Sequence, residues 1–176
     1  MAKQRPPIET ASSFIKYLGQ YSNDRGALAS LRGALSETRR HRAWPLLGSF
    51  PDAIGDEKYE FVAALWAADP TNAAPDHNLG ATLHTLAAEH NSFEARFKRV
   101  LTADREEAPR LVAPLVRAAQ AKGVAVHYAR LLSDLICWGD AVKVEWAKAF
   151  WGAGELEGAE SGDVHPALSD ITKETT

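Results

Sequence analysis

The chain has 176 residues, 45% hydrophobic and 24% charged, a composition that suits one globular domain or two small helical lobes. Its one cysteine excludes an internal disulfide framework, and no apolar run approaches the ~20 residues of a membrane-spanning helix. No apolar segment typical of a secretory signal stands near the first residue, so we expect a soluble, cytoplasmic protein.

The net charge of −3 conceals an uneven distribution of charged residues. Residues 25–42 and 94–130 each carry a net charge of +4, whereas residues 52–90 carry −6. Residues 153–176 carry −5, lack helical periodicity and are rich in Gly, Glu and Ser, so we predict a disordered acidic tail. This separation of charge along the chain predicts one basic and one acidic face.

The chain is predicted to begin with a flexible arm over residues 1–9, because two adjacent prolines stand there and no helical pattern has started. Thr10 or Ser12 can then cap a first helix, which we expect to run to about Gly19.

The next segments complete a predicted N-terminal helical lobe, residues 10–68. The sequence RGALASLRGAL repeats leucine at helical spacing and places Arg25 and Arg32 two turns apart on another face. A short helix ending at Gly48 follows, and then a strongly apolar helix over residues 56–68.

A proline-containing loop over residues 69–76 is the predicted boundary between lobes. The predicted C-terminal lobe, residues 77–152, contains apolar helical patterns over residues 78–89, 124–138 and 140–152. No segment alternates apolar and polar residues between hairpin turns. The predicted fold is therefore all-α, a compact bundle of about eight or nine helices.

Residues 92–119 form the most informative stretch, two helices that meet at a basic corner. The apolar face of the first helix is formed by Phe93, Phe97, Val100 and Leu101. Asp104 is expected to cap the second helix, with Glu107 in capping-box spacing. Pro109 and Pro114 leave two alternatives, a helix that begins late or one that bends, and we expect a continuous but kinked helix.

No motif for catalysis or cofactor binding stands out, so we expect no enzyme activity, no cofactor and no metal. His77 and His84 lie seven residues apart without the other ligands of a zinc pattern. Glu106 and Glu107 are explained as helix-capping residues rather than as a general acid and base. Cys137 lies in an apolar run and is expected to be a buried structural thiol.

Arginines on successive helix turns favour nucleic-acid binding instead. A row of guanidinium groups can follow a phosphate backbone, and such binding weakens with salt as counterions are released. The second helix of the corner carries Arg110 and Arg117 two turns apart, which extends the row. No Asn or Gln is placed to read base edges, so sequence-independent contact is favoured. The alternative is that these arginines only solvate helix faces or pair with nearby acids.

The chain also resembles the small subunit of the type I-E CRISPR surveillance complex (Cascade), the CasB family. The resemblance is carried by RGALASLRGAL, LGATLHTLA, RFKRVLTADR and ARLLSDLICWGDAVKVEWAKAFWG, in that order, over roughly residues 14–152. It implies a non-catalytic, all-helical protein that assembles as paired copies along a crRNA-guided complex, beside the backbone-forming and large subunits. It also implies that a basic surface holds the displaced single DNA strand and stabilises the R-loop.

The family's arginines can be carried over at three positions, Arg32, Arg96 and Arg105. This chain departs from the family where Gly33 and Thr102 stand, positions at which members often have a basic residue. The loop at residues 69–76 also lacks lysines found in some relatives. Other arginines are expected to compensate, namely Arg25, Arg99, Arg110 and Arg117.

The competing hypothesis is a purely architectural adaptor that binds protein subunits through apolar and acidic helix faces. The acidic segment at residues 52–90 favours it, because phosphates would be repelled there. A small metal-dependent hydrolase is a third hypothesis, which requires a bound metal.

Overall fold

The computed structural model describes residues 7–71, 74–88 and 92–152, which contain helices and no strands. The all-α prediction is therefore confirmed. The described part of the chain contains nine α-helices: α1 Pro7–Leu18, α2 Arg25–Arg32, α3 Trp44–Leu47, α4 Glu57–Trp66, α5 Leu79–Ala87, α6 Ser92–Thr102, α7 Ala108–Ala121, α8 Tyr128–Ile136 and α9 Asp140–Trp151. The disorder predicted for residues 153–176 lies outside the described residues.

Side-chain caps fix the first residue of several helices, because each satisfies a backbone N–H that has no partner within the helix. Asp24 accepts from the N–H of Ala27 at 3.0 Å, at the start of α2. His127 accepts from the N–H of Arg130 at 3.0 Å. The His127 cap explains why α8 begins at Tyr128 rather than at residue 124, where the apolar pattern starts.

The predicted flexible arm is wrong for its last three residues, because α1 begins at Pro7. Proline is well tolerated in the first turn of a helix, where its missing N–H would have no partner and its fixed φ is already helical. Pro7 therefore marks the beginning of a helix rather than a segment without one. Residues 1–6 lie outside the described residues.

The corner before α7 differs from the predicted capping box. Asp104 accepts from the N–H groups of Glu106 and Glu107 at 2.9 and 2.8 Å, so it closes a turn. The helix itself begins at Ala108, with Pro109 in its first turn, and Glu107 makes no side-chain cap. The helix then continues through Pro114, which confirms the predicted continuity, and the predicted kink stays a prediction.

The core crosses the predicted boundary between the lobes. Helix α1 packs on α8, and α4 packs on both α7 and α8. Phe14, Phe97 and Trp146 are fully buried within one apolar cluster that includes residues from both predicted lobes. These contacts place α2, α4 and α7 as neighbours, so that the two arginine-rich segments approach each other.

Helix α5 lies unusually close to α9, as the glycine in its sequence predicts. A Cβ atom at Gly80 would overlap the backbone carbonyl of Trp146, so only glycine fits there. At the end of α8, Cys137 is exposed, and the predicted buried thiol is wrong. The thiol belongs to the residue that ends the helix and points away from the core stripe. No helix in the described ranges is both long and apolar enough to cross a membrane.

Candidate nucleic-acid interface

The seven arginines predicted to bind nucleic acid are all exposed, and they lie on three helices and one turn. Helix α2 carries Arg25 and Arg32, α6 carries Arg96 and Arg99, the turn before α7 carries Arg105, and α7 carries Arg110 and Arg117. The structure brings some of these residues together in shallow grooves and gives others a partner within the protein.

One groove, of about 300 Å³, is lined by arginines from separate parts of the chain, and we call it the arginine groove. Its cations are Arg32, Arg39 and Arg117, and its polar lining also includes Gln120. The remaining lining residues are Leu35, Ser36, Ala64, Leu65 and Ala68, and none of the lining residues is acidic. Three cations therefore face one surface that has no carboxylate among its described lining residues.

Two features hold the walls of this groove in place. Gln120 donates to the backbone carbonyl of Leu65 at 2.7 Å and to the hydroxyl of Tyr128 at 2.7 Å, which fixes α7 beside α4. On the other wall, the N–H of Arg39 donates to the carbonyl of Ser36 at 2.9 Å. The turn that follows α2 therefore returns Arg39 towards the helix that carries Arg32.

Gly33 is part of the turn that follows α2. A Cβ atom at Gly33 would stand 3.3 Å from the backbone carbonyl of Arg39. A larger residue at position 33 would press on the segment that presents Arg39. Sequence reasoning left Arg39 out of the site, and the only signal for it was its place in the five-arginine run of residues 25–42.

A second groove adjoins the first, and we call it the mixed groove because it contains both signs of charge. It has a volume of about 670 Å³ and shares Leu35 and Arg117 with the arginine groove. Its other charged residues are Arg40, Arg110, Glu37, Glu57 and Glu60, and its apolar lining includes Phe61 and Pro114.

Two of the three cations of the mixed groove, Arg40 and Arg110, are paired within the protein. Arg110 donates to Glu57 at 2.7 Å and lies 3.8 Å from Glu37. The hydrogen bond to Glu57 raises the pKa of Arg110. Acidic and basic segments therefore meet at this contact between α4 and α7. Arg110 has a carboxylate partner before any ligand arrives.

A buried carboxylate binds Arg40, the second paired cation of the mixed groove. Glu60 is 1% exposed and accepts from the indole N–H of Trp44 at 2.8 Å and from the N–H of Gly55 at 2.9 Å. Its second oxygen binds Arg40 at 2.8 Å. Three donors around one buried carboxylate form a structural network, as expected for a charge inside a protein.

Arg105, at the basic corner, also has a structural contact. Its Nη2 donates to the backbone carbonyl of Trp138 at 3.1 Å, while the indole N–H of Trp138 donates to the carbonyl of Ala103 at 3.1 Å. These two bonds join the corner to the segment between α8 and α9. Arg105 thus positions the corner in addition to carrying charge at its surface.

Arg25, Arg96 and Arg99 make no ion pair with the residues that the structure describes. Arg25 stands in the first turn of α2, where no acidic residue is present and the helix dipole disfavours a cation. Arg96 lies over the ring of Phe93 at 5.9 Å. Arg99 lines a small groove of about 250 Å³ together with Arg110.

The three arginines carried over from the family do not meet in one groove. Arg32 lines the arginine groove, Arg105 lines a separate groove, and Arg96 lines none of these grooves. Arg32 and Arg117 meet in the arginine groove, while Arg99 and Arg105 each share a groove with Arg110.

The two histidines considered as ligands have partners in the protein. His84 Nδ1 lies 2.7 Å from the carbonyl of Phe150, and His77 Nε2 lies 3.2 Å from the hydroxyl of Thr82. No group of three or more His, Cys, Asp or Glu side chains in the described ranges could hold a metal ion.

Comparison with known proteins identifies one family. A family model described as CRISPR-associated protein Cse2 matches residues 27–151, more than half of the chain. A CRISPR-associated protein Cse2 of Thermus thermophilus is 31% identical over 111 residues, which are 61% of this chain and 64% of that relative. The match thus spans slightly less than two thirds of the relative's length.

Solved structures have the same fold. The crystal structure of CasB from Thermus thermophilus has a TM-score of 0.67 at 27% identity, covering 81% of this chain and 98% of that one. Similar coverage, 88% and 99%, is found with CasB of M. ruber, at a TM-score of 0.69 and 24% identity. A chain of a CRISPR RNA-guided surveillance complex has a TM-score of 0.73 at 22% identity, which establishes the fold alone.

Proposed function

Because this chain belongs to the CRISPR-associated Cse2 family, we propose that it is a non-catalytic subunit of a crRNA-guided surveillance complex that holds the displaced DNA strand. The arginine groove is the observation that carries this proposal. Arg32, Arg39 and Arg117 line one surface without a carboxylate, an arrangement that suits a chain of phosphates.

The chemistry of the groove favours backbone contact over base reading. Guanidinium groups form bidentate, charge-assisted bonds with phosphate oxygens, and these bonds do not depend on the base. Gln120, the amide side chain in the groove, already donates to two groups of the protein. Strand exchange in an R-loop is nearly balanced in energy, so a few such contacts to the displaced strand can favour the open state.

The partners of this function are the other subunits of the complex and its crRNA. The solved surveillance complex that contains a chain of this fold supports such an assembly. Paired copies, which the family resemblance implies, would place two arginine grooves along one displaced strand. The type I-E assignment and the cytoplasmic location belong to the same proposal.

The proposal is tested by replacing Arg32, Arg39 and Arg117 together with glutamine in the full chain. Fluorescence anisotropy would measure affinity for labelled single-stranded DNA from 50 to 300 mM salt. We expect affinity to fall about 30-fold at the lowest salt, and the slope of log affinity against log salt to fall by about 2, because each phosphate contact on a single strand contributes about 0.7.

The matched control replaces Lys16, Lys143 and Lys148 with glutamine, which removes the same charge from α1 and α9. Both variants should keep the wild-type helical content and thermal midpoint. The same pair should then be compared in R-loop formation by the reconstituted complex. Equal DNA affinity and equal R-loop formation for the two variants would contradict the proposal.

An architectural adaptor is the second candidate function, favoured by exposed apolar side chains near the mixed groove. Trp44 is 36% exposed and Ile54 is 47% exposed. Aromatic residues in such positions are enriched at protein interfaces. Under this alternative, Trp44→Ala would prevent incorporation into the complex, and the arginine-groove variant would support R-loops as well as the wild type does.

A further inference from the structure

The arginine groove and the mixed groove follow one another along α4 and α7. On α4, Phe61 lines the mixed groove, and Leu65, one turn further along the helix, lines the arginine groove. On α7, Arg110 lines the mixed groove, Arg117 lines both grooves, and Gln120 lines the arginine groove. The helix rises about 15 Å from Arg110 to Gln120, so a strand bound in the arginine groove has the mixed groove directly beside it.

Phe61 gives the mixed groove an aromatic side chain that has no stacking partner. The residue is partly buried, and its ring contacts no other aromatic ring among the residues that the structure describes. By contrast, the ring centroid of Phe50, which is also partly buried, lies 4.9 Å from that of Phe14. Pro114 and Leu35 add further apolar surface to the mixed groove. An aromatic ring in such a lining provides a surface on which a base can stack.

The same groove contains hydrogen-bond acceptors for a ligand. The Glu37 side chain is 85% exposed and lies 3.8 Å from Arg110, beyond hydrogen-bonding distance. Pro114 has no N–H, so the backbone carbonyl of Arg110 lacks the donor that position 114 normally supplies in a helix. Glu57 and Glu60, in contrast, are already bound to arginines. The groove therefore suits a ligand with a flat apolar face and N–H donors at its edge.

We propose that the mixed groove binds a base of the DNA strand whose phosphates lie in the arginine groove, with the base stacked on Phe61 and its N–H edge at Glu37. This inference rests on the proposed function. One sugar joins each base to its phosphate, so two grooves that share Arg117 can hold both parts of one strand. A neutral base also avoids the repulsion that a phosphate would meet from the carboxylates of this groove.

The stacking contact is tested with two oligomers that carry the same phosphates, one of deoxycytidine and one abasic oligomer of equal length. We expect the wild type to bind the deoxycytidine oligomer about tenfold more tightly, a factor within the range for one base on an aromatic ring. Phe61→Leu should lower that ratio to about twofold, because leucine is apolar but has no π-face, and should leave the affinity for the abasic oligomer unchanged. Phe61→Tyr keeps the ring and should keep the ratio. Equal binding of both oligomers by the wild type, or the wild-type ratio in Phe61→Leu, overturns base binding.

The edge contact is tested at Glu37, whose exposure makes substitution safe for folding. Cytosine has an amino donor that a carboxylate can accept, whereas uracil has a carbonyl oxygen at that position. We expect the wild type to bind deoxycytidine about threefold more tightly than deoxyuridine oligomers, as one net hydrogen bond allows, and Glu37→Ala to bind both alike. Glu106→Ala, at an exposed acid that does not line the mixed groove, is the control and should keep the preference. A preference that the wild type lacks, or that Glu37→Ala retains, overturns the contact to Glu37.

These outcomes separate base binding from the proposed function. If the arginine-groove variant loses affinity for the abasic oligomer while Phe61→Leu keeps every wild-type ratio, the strand is held by its backbone alone and base binding is overturned. If the wild type binds none of the oligomers, the proposed function fails and base binding fails with it. If Phe61→Leu binds DNA like the wild type but is not incorporated into the reconstituted complex, the mixed groove binds a protein side chain and base binding is again overturned.

Discussion

The arginine groove and the mixed groove lie side by side and share Leu35 and Arg117, yet they contain opposite arrangements of charge. In the mixed groove, Arg40 and Arg110 are bound to carboxylates at 2.8 and 2.7 Å. In the arginine groove, no lining residue is acidic. The difference distinguishes Arg40 and Arg110, which are paired within the protein, from Arg32, Arg39 and Arg117, which have no ion pair with the residues that the structure describes.

The comparison also explains why an acidic segment can stand next to the proposed nucleic-acid surface. The carboxylates of α4 line the mixed groove, where Glu57 pairs with Arg110 of α7 and Glu60 pairs with Arg40 in the turn before α3. The α4 residues at the arginine groove are small or apolar, Ala64 and Leu65. One helix therefore presents charge to one groove and none to the other.

We expect the largest loss of stability from replacing Glu60, whose buried carboxylate lines the mixed groove. Glu60→Ala would leave Arg40 without its carboxylate, and the Nε of Arg40 is already buried without a hydrogen-bond partner in the described ranges. Breaking such a buried pair should lower the free energy of unfolding by about 3 kcal/mol, measured by urea denaturation. Glu57→Ala, at the exposed pair, is the control and should change that free energy little. Equal losses in the two variants would show that the buried network around Glu60 contributes no more to the free energy of unfolding than the exposed pair does.

A carboxylate placed in the arginine groove should make it resemble the mixed groove. Ala68 is exposed and lines the groove just after α4, so Ala68→Glu can be accommodated without repacking. We expect single-stranded DNA to bind about tenfold more weakly, because the new charge repels phosphates and pairs with a nearby arginine. Ala68→Gln has nearly the same shape and should bind like the wild type. A similar loss in both variants would point to a steric effect rather than to charge.

The reverse change should make the mixed groove more like the arginine groove. Glu57→Gln removes the main partner of Arg110 and leaves Glu37 at 3.8 Å. Released from this pair, Arg110 can bind a phosphate, so we expect DNA affinity to rise about threefold at 50 mM salt and the salt dependence to steepen. Glu145→Gln on α9 removes the same charge elsewhere and should have a smaller effect. An unchanged affinity in Glu57→Gln would place Arg110 outside the DNA path.

Much of this fold could be predicted from the sequence, because helices are encoded locally. Apolar spacing and capping residues such as Asp24 and Asn78 act over three or four residues, and they fixed most of the helices close to their observed ends. The error at Pro7 came from treating proline as a helix breaker at a position where it starts one.

The site was less predictable, because it depends on residues that are far apart in the chain. The partners of Arg105 and Arg110 are 33 and 53 residues away, so periodicity gives no indication that these arginines are engaged. The position of Arg39 depends on a turn after α2 and on the packing of α7 beside it. Charge runs predicted that the surface would be basic, and tertiary contacts decided which arginines are paired.

Asp134, in another part of the molecule, is like Glu60 a buried carboxylate that pairs with an arginine. Its titration provides the last test of how such a pair contributes to stability. It is 6% exposed and accepts from the indole N–H of Trp146 at 2.7 Å and from Arg130 at 3.0 Å. Burial raises the pKa of Asp134 above its ordinary value of 3.8, although the bonds from Trp146 and Arg130 oppose the shift. The native state therefore holds this proton more tightly than the unfolded chain does.

Consequently, the contribution of Asp134 to stability is fully present below pH 3.8 and is lost as the pH rises through the raised native value. Urea denaturation from pH 3.5 to 7 should show the free energy of unfolding of the wild type falling relative to that of Asp134→Asn as the pH increases. Asp140→Asn, at the exposed start of α9, provides a matched control for the general effect of removing one carboxylate. A difference between wild type and Asp134→Asn that stays constant with pH would mean that the bonds from Trp146 and Arg130 balance the effect of burial on the pKa. A difference that moves in the opposite direction would mean that they outweigh it, and that the paired arginine here stabilises the fold by charge as well as by geometry.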